Sequence, residues 1–80
     1  MADIPTLGVE EEFLLVDPES GAPVALNRVV ADRAAELDVE LQLELTSCQV
    51  ETATEVAGDA ADLLAQLTRL RRVAAEAAGA

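Results

Sequence analysis

The sequence has no His, Lys, Trp or Tyr, and only one Phe, one Met and one Cys among its 80 residues. Without His, and with a single Cys, it lacks the residues for a tetrahedral zinc site, a Ser-His-Asp triad, a Cys-His pair or an internal disulfide. Cys48 has no basic neighbour in sequence, which is typical of a small buried hydrophobe rather than a nucleophile. The remaining chemistry must depend on carboxylates, Arg and the backbone, and oxygen-ligated hard cations are its first candidates.

Basic residues are also scarce: the sequence has five Arg and 16 acidic residues, which gives a net charge of −11. Nucleic acid and anionic membranes both require a basic patch, so neither is an expected partner. The clustered Arg69, Arg71 and Arg72 are expected to form a solvated helix face beside a helix C-terminus, and phosphate contact by one of them is the less favoured alternative. With 51% hydrophobic residues, the composition disfavours intrinsic disorder.

Long apolar runs are absent, and the longest stretch without a charged residue covers only residues 20–27. A span across a bilayer needs about 20 apolar residues, so no transmembrane helix is expected. The N-terminus shows no basic region followed by an apolar stretch, so no secretory signal is expected either. These features predict a cytoplasmic protein, and the length allows one small domain.

The first half of the chain predicts a strand, a turn and a helix. Residues 6–16 are rich in β-forming side chains, and residues 17–21 (DPESG) contain turn residues. Residues 22–26 are predicted to return as a second short strand, which its Pro restricts to a sheet edge. Asn27 is then expected to cap a helix over residues 28–37.

The second half predicts strands followed by a long helix. Residues 39–45 alternate as a half-buried strand does, and residues 49–56 continue or restart that strand. Asp59 is expected to cap the helix and Gly79 to end it. Its apolar stripe consists of Leu63, Leu67, Leu70, Ala74 and Ala77. The predicted fold is α+β, with antiparallel strands, helices packed on one face and sheet edges left open.

The strongest chemical signal is the acidic strand around Glu10, Glu11 and Glu12. Because successive strand side chains alternate between faces, Glu10 and Glu12 share one face and Glu11 lies on the other. A solvated strand face would explain these charges without any function. However, Leu14 and Val16 continue the face of Glu10 and Glu12, and a face that changes from acidic to apolar suggests a site at the end of a core. If that face is buried, the two acids need a cation or raised pKa values.

A second acidic cluster contains Glu44 and Glu51, which lie an odd number of positions apart. On one straight strand they would face opposite ways, so they converge only if the chain bends around residues 46–48. Solvated acids are the simpler interpretation of this spacing. Gln49 shares a face with Glu51, which would place an amide donor beside a ligand carboxylate.

Together these motifs resemble a known family. TLGVEEEFLLVDPESG (residues 6–21), ELTSCQVETAT (residues 44–54) and the Leu/Arg-rich helix that follows resemble the N-terminal part of carboxylate–amine ligases of the glutamate–cysteine ligase type 2 family. The resemblance covers nearly the whole chain. It depends on both acid-bearing strands, in this order and spacing.

The resemblance implies an ATP-dependent ligase. A glutamate-like carboxylate attacks the γ-phosphate of ATP, and a cysteine-like amine then displaces phosphate from the acyl phosphate to form an amide. It also implies a glutamine-synthetase-like curved antiparallel sheet, of which residues 1–80 form an incomplete N-terminal segment that does not catalyse alone. The ATP- and substrate-binding residues would then lie after Ala80.

The resemblance further implies a magnesium site. Glu10 and Glu12 match metal-binding acids of the first strand, Glu51 matches the acid of the later strand, and Glu44 lies where related ligases also carry a metal-binding acid. Glu11 is expected to be structural. No side-chain nucleophile is required, and no catalytic residue is assigned.

Two other functions are compatible with the residues. A non-catalytic acidic module would dock by its open sheet edge and Leu stripe onto a partner protein or another copy of itself. A simple divalent-cation buffer is the weaker alternative. Both differ from the ligase in needing no nucleotide.

Overall fold

The computed structural model describes residues 6–43 and 46–79. The chain forms an α+β unit in which a three-stranded antiparallel sheet packs against two helices, as predicted. The elements in chain order are β1 (Glu10–Leu14), α1 (Asn27–Glu36), β2 (Gln42–Leu43), β3 (Gln49–Ala53) and α2 (Ala60–Ala77).

The sheet has the order β1-β3-β2, so β3 lies in the centre and pairs antiparallel with both neighbours. In this register Glu12 lies opposite Glu51, and Phe13 lies opposite Val50. Gln42 of β2 is the partner of Glu51 on its other side. The sheet therefore has an open face, which carries Glu12 and Glu51, and a helix face, which carries Val50.

The hydrophobic core lies between the helix face and the two helices. Val50 is only 1% exposed at its centre. Phe13 and Leu70 are partly buried and pack against the cluster from β1 and α2. The buried members of the cluster are Leu15, Val30, Ala34, Val39, Leu41, Val50, Val73 and Ala77.

Helix α2 begins and ends where its sequence predicts. The Asp59 side chain accepts a hydrogen bond of 2.8 Å from the Asp62 backbone N–H, which satisfies one of the free donors of the first turn. Gly79 has a φ of +93°, the left-handed conformation that commonly follows a helix. Ala74 and Ala77 of the predicted stripe are buried, and its three Leu are half-buried. No helix in the described ranges is long and apolar enough to cross a membrane.

The predicted role of Asn27 is wrong. Asn27 is the first residue of α1 and is only 8% exposed, and no side chain caps this helix. Its amide instead donates to the backbone carbonyls of Thr46 and Gln49, at 3.4 Å each. Because Ser47 O also accepts from the Asn27 N–H at 3.0 Å, the start of α1 is tied to the turn before β3.

The strands are shorter than their sequence patterns predict. Residues 22–26 form no strand, although an isolated bridge joins Val16 to Pro23 across the predicted turn. In that turn Asp17 accepts from the backbone N–H groups of Ser20 and Glu19, and these bonds lower the pKa of Asp17. The 39–45 prediction is met by β2 alone within the described residues, and β3 ends at Ala53.

Replacing two threonines near the end of β3 by Val is expected to have opposite effects on stability. Thr52 is 1% exposed and its hydroxyl has no hydrogen-bond partner within the described ranges, whereas the Thr54 hydroxyl accepts from the Val9 N–H at 2.9 Å. Thr52→Val should raise the free energy of unfolding by about 1 kcal/mol, because it removes a buried polar group without a partner. Thr54→Val should lower it by a similar amount. Equilibrium urea unfolding of the 80-residue chain measures both changes, and a loss of stability in Thr52→Val would contradict the assignment.

Candidate functional site

Three of the predicted metal-binding acids lie on the open face of the sheet. Glu12 and Glu51 are direct cross-strand partners, and Glu10 is two residues from Glu12 along β1. Directly opposed residues of an antiparallel pair have Cβ atoms about 5 Å apart. Glu10 and Glu12 are exposed, and Glu51 is half-buried. The predicted sharing of a face by Glu10 and Glu12 is confirmed.

The bend that the second acidic cluster requires is present. Residues 46–48 form a bend and turn between β2 and β3, and the two strands pair antiparallel. Glu51 therefore lies on a strand that folds back along β2. The remaining predicted acid, Glu44, lies outside the described residues.

A side-chain amide contacts one of these acids directly. Gln49 Nε2 donates to Glu12 Oε1 at 2.8 Å, and Gln49 Oε1 accepts from the Thr46 hydroxyl. Gln49 is opposite Leu14 in the register, so its side chain reaches diagonally across to Glu12. The sequence placed this amide on the acidic face, but it gave no signal that Glu12 would be its partner.

Glu11 lies on the helix face and is structural, as the resemblance implied. Its carboxylate accepts from Arg71 Nε at 2.8 Å and from Arg71 Nη2 at 2.8 Å, a bidentate pair between β1 and α2. The Arg71 hydrogen bond lowers the pKa of Glu11, and Glu11 raises the pKa of Arg71. The prediction that Arg69, Arg71 and Arg72 are merely a solvated helix face is therefore wrong for Arg71, because strand β1 brings it a partner 60 positions away.

The Glu11–Arg71 pair predicts a pH-dependent contribution to stability. Because the folded chain lowers the pKa of Glu11 below its ordinary 4.5, the contribution is full above that value and is lost as the pH falls through the lowered pKa. Glu11→Gln should therefore lower the urea midpoint at about pH 7 and lower it less at about pH 3, where more of the Glu11 carboxylate is protonated. Glu76→Gln, which removes an exposed acid of α2, serves as the control. An equal loss for Glu11→Gln at both pH values would show that the ion pair contributes nothing.

The donor chemistry of the open face fits a hard divalent cation. Mg²⁺ prefers oxygen ligands and commonly takes only one or two carboxylates from the protein, with phosphate and water oxygens completing its octahedron. Across residues 6–43 and 46–79, no three His, Cys, Asp or Glu side chains converge tightly enough to hold one ion. The facing pair Glu12 and Glu51 therefore offers carboxylate oxygens on one face but is not by itself a complete ligand set.

A separate cleft lies beyond the end of β3. It has a volume of about 500 Å³ and is lined by side chains of the α1–β2 connection, of the segment after β3 and of α2, including Asp38, Glu55 and Arg69. Of the predicted metal-binding acids that the structure describes, Glu10, Glu12 and Glu51 do not line it.

An antiparallel sheet with opposed carboxylates on its open face defines a candidate divalent-cation site. The family to which the chain belongs is Glutamate-cysteine ligase family 2, whose model matches residues 6–80. The match includes both acid-bearing strands and α2, so it confirms the family that the sequence motifs indicated.

Curated relatives of high identity carry the same family name. A protein of Mycolicibacterium vanbaalenii named "Putative glutamate--cysteine ligase 2-2" is 76% identical over 78 residues, which cover 98% of this chain and 21% of that protein. A relative from Mycolicibacterium smegmatis, named as a 2-3 member, is 64% identical with the same coverage, and one from Streptomyces avermitilis is 46% identical over 77 residues. The chain spans about a fifth of the length of these relatives. No solved structure matches the chain.

Proposed function

We propose that this chain is part of an ATP-dependent carboxylate–amine ligase that joins a glutamate-like acid to a cysteine-like amine. A carboxylate oxygen of the acid attacks the γ-phosphorus of ATP, and the bond from that phosphorus to the oxygen of the β-phosphate breaks. ADP departs, and the acid is now an acyl phosphate. The amine nitrogen then attacks the acyl carbon, phosphate leaves with the former carboxylate oxygen, and the nitrogen loses a proton. The product is an amide, and no protein nucleophile takes part.

The observation that carries the proposal is the pairing of Glu12 with Glu51 in a chain of this family. If their charges lay as close as the Cβ atoms of directly opposed residues, about 5 Å, two carboxylates would repel by about 1 kcal/mol in water and about 3 kcal/mol at an effective dielectric of 20. Like charges placed directly opposite each other destabilise a strand pair unless something compensates them. A cation bound between Glu12 and Glu51 would be attracted to both carboxylates, and this attraction favours a site on this face.

The residues proposed to hold Mg²⁺ are Glu10, Glu12, Glu51 and, from the sequence alone, Glu44. When bound, the ion supplies positive charge that screens the nucleotide phosphates and the transferring phosphoryl group. The chain's own acids hold and orient that charge on the open face. Its five Arg all lie on α1 and α2, and the one that reaches the sheet, Arg71, pairs with Glu11 on the helix face.

The segment is proposed to complete a larger catalytic domain with a glutamine-synthetase-like sheet. Leu14, Val16 and Leu26 are 54%, 44% and 51% exposed, and all three line one cleft whose walls are apolar. Strands β1 and β2 are both edge strands of the three-stranded sheet. Exposed apolar side chains and open edges favour contact with further protein, and the curated relatives are long enough to supply it.

The test of this proposal is Mg²⁺-dependent ADP release by the full-length protein. Glutamate is supplied as the acid, with cysteine and other amines as acceptors, and the amide product is identified by mass spectrometry. The proposal expects ADP and amide in equal amounts, and only when Mg²⁺, acid and amine are all present. Equal ADP release without acid or amine would indicate an ATPase instead of a ligase.

A further inference from the structure

A chain of three polar side chains crosses the open face and ends on Glu12. The Thr46 hydroxyl donates to Gln49 Oε1, and Gln49 Nε2 donates to Glu12 Oε1 at 2.8 Å. An amide has one acceptor end and one donor end. In the structure the acceptor end of the Gln49 amide faces Thr46 and its donor end faces Glu12, whose carboxylate can only accept.

The backbone that carries Gln49 is itself held from two sides. The Asn27 amide donates to the carbonyls of Thr46 and Gln49, and the Gln49 N–H donates to Thr46 O at 3.2 Å. From β1, the Leu15 N–H donates to Cys48 O at 2.7 Å. The turn before β3 is therefore fixed to both α1 and β1, so the Gln49 amide is presented from a constrained position.

The neighbouring acids Glu11 and Glu12 receive chemically different partners. Glu11 is paired with the cation of Arg71 on the helix face, whereas Glu12 accepts from a neutral amide on the open face. A neutral donor orients a carboxylate without cancelling its charge. The bond engages Oε1 of Glu12, so its Oε2 and its full negative charge remain for a cation.

We propose that Gln49 is a positioning residue for the divalent-cation site and acts by orienting the Glu12 carboxylate. Gln49 neither ligates the ion nor touches the substrates. Hydrogen-bond partners of metal-binding side chains fix the orientation of those side chains, and their loss commonly lowers metal affinity about 10–100-fold. This inference rests on the proposed function, since it takes Glu12 as a metal ligand.

The test is Mn²⁺ binding to the full-length protein, measured by electron paramagnetic resonance. This measurement does not depend on turnover. Gln49→Met keeps the length of the side chain and removes both hydrogen bonds, and it should raise the Mn²⁺ Kd about 10–100-fold. The Mg²⁺ concentration for half-maximal ADP release should rise in parallel, while the thermal midpoint stays close to that of the parent. A change in thermal midpoint alone, with an unchanged Mn²⁺ Kd, would show a merely structural role and overturn the inference.

Variants of Thr46 and Glu12 keep the test decisive. Thr46→Val removes the donor that orients the amide and should weaken Mn²⁺ binding, whereas Thr46→Ser retains a hydroxyl and should bind as the parent does. This pair decides the question if Gln49→Met does not fold, and equal Mn²⁺ affinity in both would then overturn the inference. If Glu12→Gln weakens Mn²⁺ binding and Gln49→Met does not, only the role of Gln49 fails. If Glu12→Gln also binds Mn²⁺ normally, the proposed metal site fails with it.

Discussion

Replacing Glu12 by Gln in the full-length protein is expected to lower the rate of Mg²⁺-dependent ADP release about 10²–10³-fold. The substitution keeps the size of the side chain but removes the charge opposite Glu51 on the open face. Losing one preorganised electrostatic contact to a transition state commonly costs a factor of this size. Turnover is measured with saturating ATP, glutamate and amine, so that the loss reports on the chemical step.

Glu11→Gln is the matched control for Glu12→Gln. The two residues are adjacent in β1, but Glu11 faces α2 and pairs with Arg71. Its substitution should leave turnover within about threefold of the parent, because an exposed ion pair contributes only modestly to stability. If Glu12→Gln also stayed within that range, Glu12 would have no role at the metal site. The acidic face would then be the solvated strand face that the sequence also allows.

Val50→Ala is expected to have the largest effect on stability among conservative changes in the sheet. Val50 is 1% exposed at the centre of the core and lies opposite Phe13 in the register. Removing two buried methyl groups and leaving a cavity should cost about 2 kcal/mol. For a chain of this length, the whole free energy of unfolding is roughly 4–12 kcal/mol. Urea unfolding of the 80-residue chain measures the loss as a lower midpoint.

Val56→Ala provides the comparison for Val50→Ala, because Val56 is 70% exposed. The same chemical change should there alter the free energy of unfolding by no more than about 0.5 kcal/mol. Similar losses in the two variants would show that the helix face of β3 is not packed as described. Since Val50 lies between Gln49 and Glu51, its loss is also expected to loosen the strand that carries the site.

Local patterns were sufficient to predict the elements whose signals lie within a few residues. Alternation along β1 placed Glu10 and Glu12 on one face and Glu11 on the other, and the register confirms it. Asp59 and Gly79 mark the ends of α2 because capping depends on backbone groups of the adjacent turn. The family too was predicted, since both motifs lie within continuous segments.

The contacts that the sequence did not predict join segments that are distant along the chain. Asn27 resembles a helix cap, but the turn at residues 46–49 lies close enough to take its amide. From its neighbours in sequence Arg71 resembles a solvated residue, but in the folded chain it donates to Glu11 of β1. The Gln49–Glu12 bond depends on the β1–β3 register. A one-residue slip of β1 against β3 would move Glu12 to the other face of the sheet. The pattern of residues within one strand does not determine which register it adopts with another strand.

The most direct test of the metal site is anomalous diffraction from crystals of the full-length protein grown with Mn²⁺ and a non-hydrolysable ATP analogue. We expect a Mn²⁺ peak about 2–2.5 Å from carboxylate oxygens of Glu12 and Glu51, with a phosphate oxygen also in its coordination sphere. Glu11 should remain paired with Arg71 on the other face of the sheet. Mn²⁺ bound to the nucleotide with no carboxylate of Glu10, Glu12 or Glu51 in its coordination sphere would contradict the account.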